Sequence, residues 1–217
     1  MNETRPAVVV VDYGIGNLFS VCHALHQAGG EVALTSDPNR IAQAERLVLP
    51  GVGAIADGMA GLRQHGLVAP IRELVARDKP FLGICLGMQM MLDVSEEFGE
   101  HECLGLIPGR VVPVPPTGAD GRPHKIPHIG WNELFRPEGG DWSQTLLAGI
   151  PERTTAYFVH SFMAMPTDPG HRLADCLYDG RVVSAAIRIG KAVGTQFHPE
   201  KSGPAGIQML KNFLALQ

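Results

Sequence analysis

Lys79-Pro80-Phe81-Leu82 leads into Gly83-Ile84-Cys85-Leu86-Gly87, and Met88-Gln89-Met90-Met91-Leu92-Asp93 follows. A short apolar run, a glycine-flanked cysteine and an amphipathic stretch read as strand, sharp turn and helix. That is the setting of a nucleophile elbow, with cysteine in the place of serine. Glycines on both sides permit a strained turn that a β-carbon would block. A cysteine held there stands at a helix N-terminus, where unpaired N–H groups and the helix dipole favour a thiolate. The same five residues also fit a small core thiol packed between strand and helix. Gly-x-Cys-x-Gly by itself does not choose between the two.

Upstream, the β-branched run Ala7–Val11 has the character of a strand buried on both faces. Asp12-Tyr13-Gly14-Ile15-Gly16-Asn17 turns into a helix over 18–28, closed by Gly29-Gly30. Gly14-x-Gly16 lacks the third glycine of a dinucleotide loop, and no acid ends the next strand, so we read a tight strand-to-helix turn. A strand at 31–34, a short helix after Thr35-Ser36-Asp37-Pro38 and a strand at 46–49 follow. The last runs into Pro50-Gly51-Val52-Gly53, whose backbone either presents N–H groups to an anion or makes an ordinary turn. Helices are expected at 54–64 and 67–78. This βαβα order predicts a mostly parallel sheet covered on both faces. Beyond the elbow, Gln89 is four residues past Cys85, on the same helix face. It either contacts what the cysteine attacks or sits solvated.

Downstream, strand-like runs at 111–114, 129–134, 155–159, 173–178 and 182–188 come without intervening helices. Asp179-Gly180 marks a hairpin, and we expect these strands antiparallel at the sheet edge. The Pro/Gly-rich stretch 113–127 reads as a loop, 141–147 as a short helix and 205–216 as a final helix with Ile207, Leu210, Phe213 and Leu214 on one face. His124 and His128 have the spacing of helical metal ligands, but Pro123 and Pro127 exclude a helix there. We expect no metal and no cofactor.

At 45% apolar and 18% charged, the 217 residues can bury the core of one domain spanning 1–217. A net charge of -4 without a basic cluster excludes nucleic acid as the expected partner. Four cysteines lie far apart without a Cys-x-x-Cys pair, which fits a reducing compartment. The polar residues Met1 to Pro6, and an apolar run stopped by Asp12, are too short for a signal segment or membrane span. The expectation is a cytoplasmic protein that meets no membrane.

Gln196-Phe197-His198-Pro199-Glu200 ends an expected strand over 192–197. His198 and Glu200 are two apart, so in extended geometry both side chains share one side. Glu200 can then hold one imidazole nitrogen and leave the other for the sulfur, which is the logic of a catalytic triad. Both elements end strands, where open α/β sheets place their sites. A Cys85–His198–Glu200 triad performs acyl transfer. The oxyanion it generates needs donors: the Leu86 N–H is one, and the Pro50–Gly53 loop offers a second.

The elbow Gly83-Ile84-Cys85-Leu86-Gly87-Met88-Gln89, together with His198-Pro199-Glu200, resembles the class I glutamine amidotransferases. Asp12 to Leu18, Pro50 to Gly53, Gly105-Leu106-Ile107-Pro108-Gly109, Lys125 to Asn132, Val159-His160-Ser161 and Lys201 are similar, within that family, to the glutaminase subunits of imidazole glycerol phosphate synthase. The resemblance implies a three-layer, flavodoxin-like α/β fold with a mostly parallel central sheet and added antiparallel strands in the C-terminal half. It implies hydrolysis of glutamine to glutamate and ammonia through a thioester on Cys85. The ammonia would pass to a (βα)8-barrel cyclase in a heterodimer of histidine biosynthesis, giving imidazole glycerol phosphate and aminoimidazole carboxamide ribotide. By the same resemblance, Val52 and Leu86 form the oxyanion hole. Gly53, Gln89, Ser161 and Phe162 contact glutamine, and Asn17, Trp131, Asn132 and Lys201 meet the partner. The family's usual tyrosine is Phe162 here. Two alternatives remain open: a glutaminase of another pathway, such as pyridoxal phosphate or aminodeoxychorismate synthesis, and a non-catalytic binding protein on the same fold.

Overall fold

The computed structural model describes residues 6–216; the polar Met1 to Arg5 stretch and Gln217 lie outside the described residues. The first half alternates strand and helix: β1 (Ala7–Val11), α1 (Leu18–Gln27), β2 (Glu31–Thr35), α2 (Pro38–Ala42), β3 (Leu47–Gly51), α3 (Ile55–Gln64), α4 (Val68–Ala76), β4 (Phe81–Cys85) and α5 (Leu86–Gln89). Along the strands, successive side chains enter opposite cores, as the period of two requires. Val8, Val10 and Val48 join one core with Val21, Ala24 and Leu25 of α1. Val11, Leu47 and Leu49 join the other with Ile55, Met59 and Leu62 of α3 and Ile71 and Leu74 of α4. Apolar residues on both sides of the central strands are the reason the sheet is sandwiched between helical layers.

The second half supplies β5 (Val94–Ser95), β6 (His101–Glu102), β7 (Gly109–Pro113), β8 (His128–Glu133), β9 (Thr155–His160), β10 (Phe162–Pro166), β11 (Arg172–Tyr178), β12 (Arg181–Ile189), β13 (Ala192–Thr195) and α6 (Gly203–Ala215). The main sheet has the order β11-β12-β13-β4-β3-β1-β2. From β13 to β2 it is parallel, and β11 and β12 add antiparallel strands at one edge. This is the expected flavodoxin-like order with an antiparallel extension. α6 lays Met209, Leu210, Phe213 and Leu214 onto the core it shares with α1, with Ile207 at the margin.

Several expectations need correction. Only β11 and β12 join the main sheet edge; β8 pairs with β9 apart from it, and β7 lies in a sheet ordered β10-β7-β5-β6. Residues 141–147 form turns, not a helix, because Asp141 commits its carboxylate to the Ser143 N–H and Gln144 adopts φ +54°. The helix after the elbow is four residues long; beyond it Leu104, Gly105, Leu106 and Ile107 donate their N–H groups to the carbonyls of 90–92 and turn the chain away. The strand ending at 195 stops before Gln196.

The elbow also differs from its simplest explanation. The left-handed strain falls on Cys85 itself, at φ +53° and ψ −104°, where an L side chain is costly. The flanking glycines serve close approach. A β-carbon on Gly83 would lie 2.6 Å from the Gly87 carbonyl oxygen, and one on Gly87 would overlap the Leu49 carbonyl oxygen of β3. Gly87→Ala is therefore expected to destabilise the fold by about 3 kcal/mol or more, because backbone must move to admit one methyl group. A urea midpoint unchanged from the native chain would contradict it.

Candidate active site

Cys85 ends β4 and caps α5, whose first-turn N–H groups have no intrahelical acceptor. His198 follows β13, the neighbour of β4 in the sheet, so parallel pairing brings the two strand ends together. The His198 backbone is anchored at both ends: its N–H donates to the Tyr157 carbonyl at 2.9 Å and its carbonyl accepts from Ser202 Oγ at 2.7 Å, while Ser202 Oγ in turn accepts the Tyr157 N–H at 3.0 Å. Pro199–Lys201 is a 3₁₀ turn. Glu200 reaches the imidazole because that turn folds it back, not because an extended chain alternates.

His198 Nδ1 lies 2.7 Å from Glu200 Oε1, with both side chains buried. Among the described residues, Nε2 is buried without a hydrogen-bond partner. Burial pulls the imidazole pKa down, while the facing Cys85 and Glu200 push it up further, to about 9. Among the described residues, no formed hydrogen bond joins the sulfur to Nε2 in this geometry. Tyr13 steadies the opposite wall: its buried hydroxyl donates to the Pro50 carbonyl at 2.8 Å, directly before the Gly51-Val52-Gly53 backbone.

Cys85, Leu86, His198, Val52, Gly53 and Gln89 line one cavity of about 530 Å³. Ser161 and Phe162 line it too. The cavity thus gathers the triad, oxyanion and substrate residues expected from the sequence, except Glu200, which supports His198 from behind. It also includes Glu97 and Phe98, which sequence reasoning missed. Glu97 Oε2 accepts the Ile55 N–H at 2.6 Å and so caps α3, whose own N-cap, Ala54, has no capping side chain. Phe98 packs edge-on to Phe162 across the mouth, at a centroid distance of 6.0 Å. The uncapped start of α3 was the only hint in the sequence that a distant carboxylate was needed.

Gln89 is buried, not solvated. Its Nε2 donates to the Phe162 carbonyl and to Gln196 Oε1, each at 2.9 Å. Both N–H bonds are committed, so the atom left for a ligand is Oε1, an acceptor. The Phe162 carbonyl also accepts from His160 Nδ1 at 2.8 Å. His160 Nε2 then accepts from His128 Nδ1 at 2.9 Å, and Asn132 Nδ2 approaches His128 Nε2 at 3.4 Å while donating to the Leu177 carbonyl at 2.8 Å. The β8–β9 register sets His128 directly opposite His160. Burial is the chief cause that lowers both histidines, His128 to about 4 and His160 to about 3.

The same register sets Trp131 opposite Tyr157 on the outer face. Trp131 is 56% exposed and meets Tyr157 edge-on, and Lys201 Nζ stands 5.7 Å from the Tyr157 ring centroid. Of the residues expected at a partner interface, Trp131 and Lys201 belong to this exposed cluster. Asn17 is exposed at the start of α1, which it caps through the Ser20 N–H. Asn132 instead turns its amide inward.

Comparison with known proteins agrees with this architecture. The family described as "Glutamine amidotransferase class-I" matches residues 9–216. The imidazole glycerol phosphate synthase subunit HisH 1 of Legionella pneumophila (strain Lens) is 56% identical over 211 residues, covering 97% of this chain and 99% of that protein. The HisH subunit of Methylococcus capsulatus is 50% identical over 96% of this chain and 95% of its own. Among solved structures, PurLQS from Thermotoga maritima superposes with a TM-score of 0.72 at 20% identity, over 97% of this chain and 98% of that one, which speaks for the fold alone.

The histidine pair carries a pH prediction. Each folded pKa lies below the unfolded value near 6.5, so the unfolded chain binds more protons as the pH falls below 6.5. Stability is present above that value and is lost towards pH 4, at up to about 1.4 kcal/mol per pH unit for each histidine. His198 has the opposite sign: its contribution is complete below 6.5 and lost as the pH rises through 9, so it does not enter the acid window. We expect the unfolding free energy to fall by about 2–4 kcal/mol between pH 7 and pH 5. A flat urea-unfolding profile over that range would count against the neutral pair.

Proposed function

The chain belongs to the class I glutamine amidotransferase family, with HisH subunits of imidazole glycerol phosphate synthase among its relatives, and on that premise we propose that it is the ammonia-producing subunit of such a synthase. The observation that carries the proposal is the His198–Glu200 contact at 2.7 Å, with His198 Nε2 unpartnered beside a cysteine held at φ +53°.

His198 Nε2 takes the Cys85 proton, and Glu200 stabilises the imidazolium. The thiolate attacks the γ-carbonyl carbon of glutamine, forming a C–S bond and placing the negative charge on the carbonyl oxygen. The N–H groups of Leu86 and of the Val52 loop receive that oxyanion. As the intermediate collapses, the C–N bond breaks and His198 returns its proton to the departing ammonia. Water, deprotonated by His198, then cleaves the thioester C–S bond, releasing glutamate and restoring the Cys85 thiol. The Gln89 Oε1 acceptor suits the α-ammonium of glutamine, and the Ser161-Phe162 segment its carboxylate side.

The ammonia passes to a (βα)8-barrel cyclase subunit, which docks on the face of Trp131, Tyr157 and Lys201, with Asn17 also contributing and Asn132 supporting the face from within. The cytoplasm is the proposed location. Its free cysteines suit that compartment, and among the described residues no helix is long and apolar enough to cross a membrane. Val52 is 42% exposed and Gly53, at φ +94°, has open space where a β-carbon would stand, so the tip of the oxyanion loop, beyond the Tyr13–Pro50 bond, has room to move. Glutamine turnover without the partner is therefore expected to be at least about tenfold below that of the complex.

In the complex, Cys85→Ala is expected to lower glutamine-dependent product formation by about 1000-fold or more while synthesis from ammonium salt continues. Retained glutamine use by that variant would sink the proposal.

A further inference from the structure

Gln196 is fully buried, and the triad chemistry gives it no role. Its backbone N–H donates to the Ala185 carbonyl at 2.8 Å, which pins the residue to β12. Its side chain spans two groups of the site. Oε1 accepts from Gln89, and Nε2 stands 3.7 Å from Cys85 Sγ, within reach of a hydrogen bond to sulfur.

The polarity of this amide follows from its neighbours. The Phe162 carbonyl can only accept, so the end of Gln89 beside it is the NH2 group. That NH2 group also faces Gln196, so the facing atom of Gln196 is the oxygen. The end of Gln196 that remains, towards the sulfur, is therefore the donor. The far side of the Phe162 carbonyl is held by His160, which is held in turn by His128, and the His128 ring is stacked between Phe158 and Tyr178. A carbonyl accepting from both sides cannot easily rotate away, so the chain of donors keeps its direction.

The other neighbour of the sulfur is the Val159 carbonyl oxygen, at 3.9 Å. It accepts a hydrogen bond from the thiol but repels a thiolate. The Gln196 N–H does the reverse, and its attraction grows when charge appears on sulfur.

We propose that Gln196 is a further catalytic residue, whose Nε2–H donates to Cys85 Sγ and stabilises the thiolate once His198 Nε2 has taken the thiol proton. The inference rests on Cys85 being the nucleophile of the proposed glutaminase. No new bond is formed or broken by Gln196; it lowers the energy of the charged sulfur that begins each turnover.

The test uses alkylation of Cys85 by iodoacetamide in the full chain without glutamine, followed by peptide mass to separate Cys85 from the other thiols. Gln196→Met keeps the length of the side chain and removes the donor. Alkylation of Cys85 is expected to slow about tenfold near neutral pH, with the pH profile displaced upward by about one unit. A folded variant that reacts at the native rate overturns the proposal. Should Gln196→Met fail to fold, the native chain labelled with ¹⁵N at glutamine side chains decides. The Gln196 amide proton is expected to move upfield in Cys85→Ala, which removes the sulfur and leaves Gln89 in place, and an unmoved signal overturns the proposal. Alkylation does not depend on glutamine chemistry. A native chain that never turns over glutamine would refute the proposed function and leave the comparison at Gln196 readable. A chain that does, with Gln196→Met alkylated at the native rate, would refute only this inference.

Discussion

The contact between Gly87 and the Leu49 carbonyl, with Gly83 against the Gly87 carbonyl, is the constraint on which the rest depends. It lets α5 begin hard against the ends of β3 and β4, with no room for a methyl group. The turn between them must then be made within one residue, and Cys85 takes the left-handed backbone that results. A strained, non-glycine residue persists only where packing over-determines it. Here the packing is the two glycine contacts below and the cores of both sheet faces. Because β3 and β13 flank β4, the same placement brings the Pro50–Gly53 backbone to one side of the sulfur and His198 to the other.

Around that centre the buried polar groups form chains with a defined direction. Carbonyl oxygens, which only accept, orient the amides and imidazoles beside them. The Phe162 carbonyl fixes Gln89 and His160, and the Leu177 carbonyl fixes Asn132. Buried networks of this kind hold a unique geometry when every member is satisfied. Among the described residues, His198 Nε2, Glu200 Oε2 and Thr195 Oγ1 are buried near this centre without partners, and the first two belong to the imidazole–carboxylate pair of the proposed chemistry.

Much of the fold was legible. Uninterrupted apolar strands such as Ala7–Val11, separated by helical periods, can only be buried on both faces, and the parallel order follows from that. Cys85, His198 and Glu200 were legible as well, since glycine, proline and strand-end positions mark them locally. Other features were hidden because their causes are not local. The 141–147 segment has helical apolar spacing, but the Asp141 and Ser143 side-chain contacts make turns. The helix after Cys85 stops early because residues 104–107 capture the carbonyls of 90–92, which a longer helix would have used. Glu97 caps a helix that begins 42 residues earlier. His198 and Glu200 meet as the His-Pro-Glu spacing suggests, but through a 3₁₀ turn in place of an extended chain.

The amino-acid sequence by itself determined the doubly covered parallel sheet, the candidate nucleophile and base, and the family to which they belong, because strand burial, backbone turns and motif spacing are written in neighbouring residues. Only the tertiary structure decided which way the buried amides point, that His128 stands opposite His160 and Trp131 opposite Tyr157, and that Gln196 reaches the sulfur. Strand register and hydrogen-bond polarity between residues 26 to 111 apart follow from how whole strands dock, and no short stretch of chain contains that information.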